Sequence, residues 1–257
     1  MALIDYQSAE GIAYITLNRP SKRNALNDEM VTLLKKAFVR GREDPDTKVI
    51  VLKAEGRVFS AGVDLDYIQR LQKNTFEENL SDSTKLKELF QIIYTHDKVV
   101  IAQVQGHAIA GGCGLATVCD FVIAQPEAKF GYTEVHIGFV PAIVMVYLLR
   151  RLGEGAAREL LISGRLIDAN QALKWGLVNQ VVSADELEQA VTAFAQKLVS
   201  ENSAQSMQRT KAMIARVQEM VLEEALDYAA DQNARARNTE DCKQGIKAFL
   251  DKVPIKW

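Results

Sequence analysis

The chain has 257 residues, 48% of them hydrophobic and 25% charged, which suits one large globular domain or one domain with a smaller appendage. A formal net charge of −2 argues against a general nucleic-acid or membrane-surface binder, since either needs a basic excess. The three cysteines, Cys113, Cys119 and Cys242, include no CxxC pair, which speaks against a disulfide framework or a zinc site and for a reducing compartment.

The elements follow in chain order. A strand, a Glu10-Gly11 turn and the alternating segment GIAYITLNR predict a hairpin. Asn27 or Asp28 caps a helix to about Gly41, with Met30, Leu33, Leu34, Ala37 and Phe38 on one face. KVIVLKA, VVIAQVQG and FVIAQ are short continuous apolar runs, the mark of strands covered on both faces. EGRVFSAGVDLD is a loop turning into a helix. A polar stretch runs from Asn74 to about Glu88, its first part expected to be mobile. IAGGCGLATVCD begins with glycines and turns helical, with Cys113 and Cys119 as core residues, and KFGYTEVHIGFVP reads as a loop. Ser183 followed by Glu186 forms a capping box ahead of a helical period. From there to Lys252 strand signals are almost absent. We therefore divide the chain into an α/β core, 1–190, with mostly parallel strands, and a helical region, 191–257. The start, MALIDYQSAE, lacks a leader's apolar run, and no segment approaches the roughly 20 apolar residues of a membrane span. The expected setting is cytoplasmic, with no membrane and no nucleic-acid partner.

Two loops place small residues where a strand gives way to a helix: Phe59-Ser60-Ala61-Gly62-Val63-Asp64 and Ile109-Ala110-Gly111-Gly112-Cys113-Gly114. A helix start carries unpartnered N–H groups and favours negative charge, so two facing loops could hold one oxygen between two amides. Each loop alone reads more readily as a tight turn or a point of close packing. Neither has the spacing of a phosphate-binding glycine loop, and Gly106-His107-Ala108-Ile109-Ala110 lacks the serine of a G-x-S-x-G hydrolase.

In order and spacing, the segments NRPSKRNALN, GRVFSAGVDL, VQGHAIAGGCGLATVCDFVIA and AKFGYTEVHIGFVP resemble the enoyl-CoA hydratase/isomerase (crotonase) family. The likeness continues through RLGEGAARELLISGRLIDANQALKWGLVNQVV and CKQGIKAFLDK, nearly the whole chain. It implies a crotonase (ClpP-like) spiral of ββα units with a C-terminal helical segment. It also implies an acyl-CoA substrate, no separate cofactor or metal, and assembly as a homotrimer or a pair of trimers. By the same resemblance, the amides of Ala61 and Gly111 form an oxyanion hole for the thioester carbonyl. Gly62, Asp64, Leu65, Gly112 and Gly114 lie along the substrate. Lys22, Arg23, Phe249 and Lys252 match regions that contact the nucleotide of CoA, the last two being candidates to serve a neighbouring subunit's site.

The carboxylates bear on reaction type. Hydratases of this family carry two glutamates. Glu134 keeps the second position, and Gly114 stands at the first. Hydration needs one group for the water and one for the α-proton, whereas moving a double bond needs a single base. The sequence therefore leans to isomerisation by Glu134. Hydration (including of a branched methylglutaconyl-type substrate), acyl-CoA decarboxylation and a non-catalytic CoA-binding scaffold are the alternatives. His136 is expected to orient or support, His107 to pack or make one hydrogen bond, and His96 to lie on the surface. Asp64 is read as a cap or loop tie, Asp120 as structural. Tyr67, Ile68 and Leu71 line the acyl pocket or pack in the core.

Overall fold

A computed structural model describes residues 2–257, with the side chain of Leu65 outside the described set. The hairpin forms as expected: β1 (Ile4–Ala9) and β2 (Ile12–Leu17) pair antiparallel through Glu10 and Gly11, both at positive φ, as a two-residue turn between twisted strands requires. Helix α1 (Asp28–Glu43) starts where Asn27 accepts the Met30 N–H at 2.9 Å.

Strands β3 (Val49–Ala54), β4 (Val99–Val104), β6 (Phe121–Ala124) and β9 (Gln180–Val181) extend β2 in parallel, giving the order β1-β2-β3-β4-β6-β9. Their continuous apolar runs serve two cores. On β3, Ile50 and Leu52 face the core shared with α1, while Val49 and Val51 face the other side. That second core is closed by Leu187, Val191 and Ala195 of α7 (Leu187–Glu201). The division at 190/191 thus falls inside a core helix. The helices beyond it are α8 (Ala204–Val217), α9 (Leu222–Arg237) and α10 (Glu240–Asp251).

Two expectations change. The polar stretch after Asn74 forms α3 (Phe76–Tyr94), opened by a capping box between Thr75 and Glu78. Its Leu89, Phe90 and Ile93 are buried, so a few apolar residues in its second half anchor a mostly solvated helix. Ser183 and Glu186 do bond, side chain to side chain, at 2.6 Å, but in a turn before α7 rather than as its cap.

A second, three-stranded sheet joins β5 (Ala108–Ile109), β7 (Lys129–Gly131) and β8 (Ile167–Asp168). Together with α4 (Gly111–Thr117) and α5 (Ala142–Ser163), it gives the repeated strand-strand-helix units of the expected spiral. No helix among the described residues is long and apolar enough to cross a membrane.

Candidate active site

Parallel neighbours deliver their following loops to the same edge of a sheet. Strands β3, β4 and β6 are three such neighbours, and the segments after them carry Ala61, Gly111 and Glu134. The small sheet locks these segments together: Ser60 bridges Ala108, and Ala108 pairs with Phe130. The Ile109 N–H donates to the Ser60 carbonyl at 3.0 Å and the Ala110 N–H to the Gly131 carbonyl at 2.8 Å. The first two loops touch closely. A Cβ on Gly62 would lie 3.6 Å from the Gly111 nitrogen, and one on Gly112 would overlap the Ser60 carbonyl. Ala110 holds φ 51 and ψ −125 at the start of α4, a region that favours glycine and costs about 1–3 kcal/mol otherwise.

The two amides differ. Gly111 is the first residue of α4, and among the described residues its N–H donates to no acceptor within hydrogen-bond reach. The Ala61 N–H is already given to the Arg23 carbonyl at 3.0 Å. Of the two amides expected to hold the thioester oxygen, that of Ala61 is thus engaged within the chain, while that of Gly111 has no acceptor among the described residues. Arg23 and Asn24 both have φ 52, and this left-handed turn aims the Arg23 carbonyl at the first loop.

Glu134 opens a 3-10 turn, Glu134–Ile137, closed by Gly138 in the left-handed conformation. Its Oε2 is buried without a hydrogen-bond partner among the described residues. Burial raises its pKa above the ordinary 4.5, a bond from its own backbone N–H opposing only in part; no neighbouring charge figures in the shift. The segment that carries Glu134 lies against α4, because the Tyr132 and Thr117 hydroxyls share a hydrogen bond at 2.7 Å. A carboxyl group that is desolvated, with one oxygen left unpartnered, is suited to taking and returning a proton.

The remaining expected residues sort by contact. Asp64 caps α2 (Leu65–Leu71) by accepting the Asp66 N–H at 2.9 Å, and it pairs with Arg19 at 2.5 Å. Burial pushes its pKa up, but the Arg19 hydrogen bond and the Asp66 amide outweigh it and leave it lowered. Asp64 is a loop tie, not an open binding group. Lys22 pairs with Asp66 at 2.8 Å, which keeps it and Arg23 beside the first loop. Gly114 is buried in α4. The Leu65 side chain lies outside the described residues. Phe249, 83% exposed, and Lys252 stand on α10 and its C-cap. Among the described residues no hydrogen bond or ion pair joins them to the three loops. Tyr67 bonds Asp82 of α3, which makes it a tie between helices.

Two of the histidines depart from expectation. His96 is buried rather than on the surface: its Nδ1 accepts the Lys98 N–H at 3.0 Å, leaving Nε2–H to donate to the Phe38 carbonyl at 3.0 Å. Burial depresses its pKa to about 4. The His107 side chain is exposed. His136 lies in the same 3-10 turn as Glu134, and its Nε2 bonds the Ser163 carbonyl at 3.2 Å, a support for that turn. Asp120 is structural, as expected: it accepts from Val100 N–H at 2.7 Å and from Lys211 at 2.6 Å.

Sequence reasoning passed over Arg19 and Asn24, although both lie in NRPSKRNALN. Asn24 is fully buried and pins the turn by accepting the Arg19 N–H and donating to the Glu55 and Val58 carbonyls, all at 2.8 Å. A cavity of about 700 Å3 lies elsewhere, between α8 and the core, lined in part by Tyr147, Arg150, Met207 and Trp257.

The sequence pattern of the enoyl-CoA hydratase/isomerase family matches residues 7–257. The chain belongs to this family. A Thermus thermophilus protein described provisionally as an enoyl-CoA hydratase is 42% identical, over 96% of this chain and 97% of its own length. The crotonyl-CoA hydratase of Syntrophomonas wolfei is 34% identical, over 96% and 94%. A crystal structure from Legionella pneumophila, described provisionally as an enoyl-CoA hydratase/isomerase (crotonase), superposes with a TM-score of 0.90 at 35% identity, covering 98% of both chains. The fold is thus that of the crotonases, and the chain is a family enzyme acting on acyl-CoA thioesters.

Proposed function

We propose that the enzyme moves a carbon–carbon double bond in an enoyl-CoA, with Glu134 as the single acid–base group. The observation that supports this reading is the Glu134 Oε2, buried without a hydrogen-bond partner among the described residues, in a chain with Gly114 where the family resemblance leads one to expect the other glutamate. Glu134 takes a proton from C2 of a 3-enoyl thioester, and the electron pair moves to the thioester oxygen. Glu134 then returns the proton at C4, leaving the double bond between C2 and C3. The Gly111 N–H supports the oxygen directly. The Ala61 N–H joins it by exchanging the Arg23 carbonyl for the developing oxyanion, a stronger acceptor because it is charged. That exchange gains most where charge has developed, so it favours the transition state over bound substrate.

Hydration of a 2-enoyl-CoA is the second reading, favoured by the hydratase names of the relatives. We place Lys22 and Arg23 at the CoA phosphates. Phe249 and Lys252 would serve a neighbouring copy in a trimer or pair of trimers, which the exposed Leu222, Phe249 and Leu250 of α9 and α10 support. The test is turnover of 3-enoyl-CoA and 2-enoyl-CoA followed in the ultraviolet. The 3-enoyl thioester is expected to shift faster than the 2-enoyl thioester is hydrated. Glu134→Gln is expected to lose about 1,000-fold while still binding CoA. Faster hydration would replace this reading with the second, and binding without any turnover would leave a scaffold.

A further inference from the structure

The space beside Gly114 is filled. A Cβ there would lie 2.5 Å from Val144 Cγ1, 2.9 Å from Phe90 Cζ and 3.2 Å from Phe90 Cε2. Phe90 is 0% exposed and Val144 4%. Neither yields easily. Valine is stiff about χ1, and the Phe90 ring stands edge-on to Tyr147 at 6.3 Å, which in turn leans on Tyr94 at 5.0 Å. These residues come from α3 and α5, and they meet the start of α4 only in the folded chain.

We infer that Phe90 and Val144 determine reaction specificity: by filling the volume beside Gly114 they exclude a second carboxylate and its water, and so restrict the enzyme to proton transfer by Glu134. This rests on the isomerisation reading and adds that the restriction is steric. Hydration needs a water whose oxygen bonds C3 while its proton goes to one carboxylate. The displaced π pair moves to the thioester oxygen, and C2 then takes a proton from a second carboxyl group. Moving a double bond needs neither the water nor the second group.

The test takes Gly114→Ala and Gly114→Glu, each with and without Val144→Ala and Phe90→Leu. Gly114→Ala is expected to melt roughly 5 °C lower than the parent, with a smaller loss in the Val144→Ala background. Gly114→Glu with both relieving substitutions is expected to hydrate 2-enoyl-CoA about 100-fold faster than the parent, and added Glu134→Gln should remove the gain. A Gly114→Ala variant that melts like the parent would overturn the inference. So would a relieved Gly114→Glu variant, folded by circular dichroism, that hydrates no faster than the parent. Should that variant not fold, the Gly114→Ala and Val144→Ala pair still decides, because an unchanged loss in the Val144→Ala background contradicts the steric fill. Failure of the isomerisation reading is separately visible, as a parent that already hydrates faster than it shifts double bonds.

Discussion

Glu134 is costly where it sits. Burial holds its pKa above 4.5, so its folded value lies above its unfolded one. The penalty is absent below the unfolded pKa and fully present above the folded one. Glu134→Gln should therefore melt higher than the parent near neutrality and no higher below 4.5, as thermal scans across pH would read. The same displacement sets the activity profile. A base must be ionised, so kcat/KM should fall as pH drops through a value above 4.5, and a limb at or below 4.5 would contradict the burial argument. A site group that lowers stability is what a functional position is expected to look like. The sequence could name Glu134 only through its family resemblance, because a glutamate in a loop is ordinarily a solvated one.

At the scale of elements, the turn carrying Arg23 and Asn24 governs the first loop. Asn24 satisfies three backbone groups at once, and its carbonyl accepts the Ser60 hydroxyl at 2.8 Å. Asn24→Ala would leave the Arg19 amide and the Glu55 and Val58 carbonyls unpaired, at a cost of roughly 3 kcal/mol. Urea unfolding should show that loss, and an unchanged midpoint would contradict the assignment. Elements with local signals were legible: the Glu10-Gly11 hairpin, the Asn27 cap and the doubly buried strands each follow from residue type and period. Helix α3 was less so. Its first half is solvated, and the apolar residues that fix it, Leu89, Phe90 and Ile93, show their purpose only against α1 and α5. His96 was misplaced for the same reason, since nothing near it in the chain announces the Phe38 carbonyl.

Across the whole molecule, the helical region is tied to the core by a partly buried ion pair. Lys211 of α8 donates to Asp120 at 2.6 Å, to the Lys98 carbonyl at 3.0 Å and to the Ile93 carbonyl at 3.3 Å. Lys211→Met would leave Asp120 and two carbonyls without their cation, costing roughly 3 kcal/mol. Urea unfolding of Lys211→Met beside Lys211→Met/Asp120→Asn should show the double variant recovering part of the loss, and equal midpoints for Lys211→Met and the parent would contradict it. The amino-acid sequence by itself determined the strands, most helices, the family and the retained Glu134, because these depend on residue type, local period and spacing. Only the tertiary structure decided that the Ala61 amide is held by Arg23 and that Phe90 and Val144 fill the place beside Gly114. Both depend on segments far apart in the chain meeting across one edge of the sheet, and no local pattern encodes which side chain arrives there.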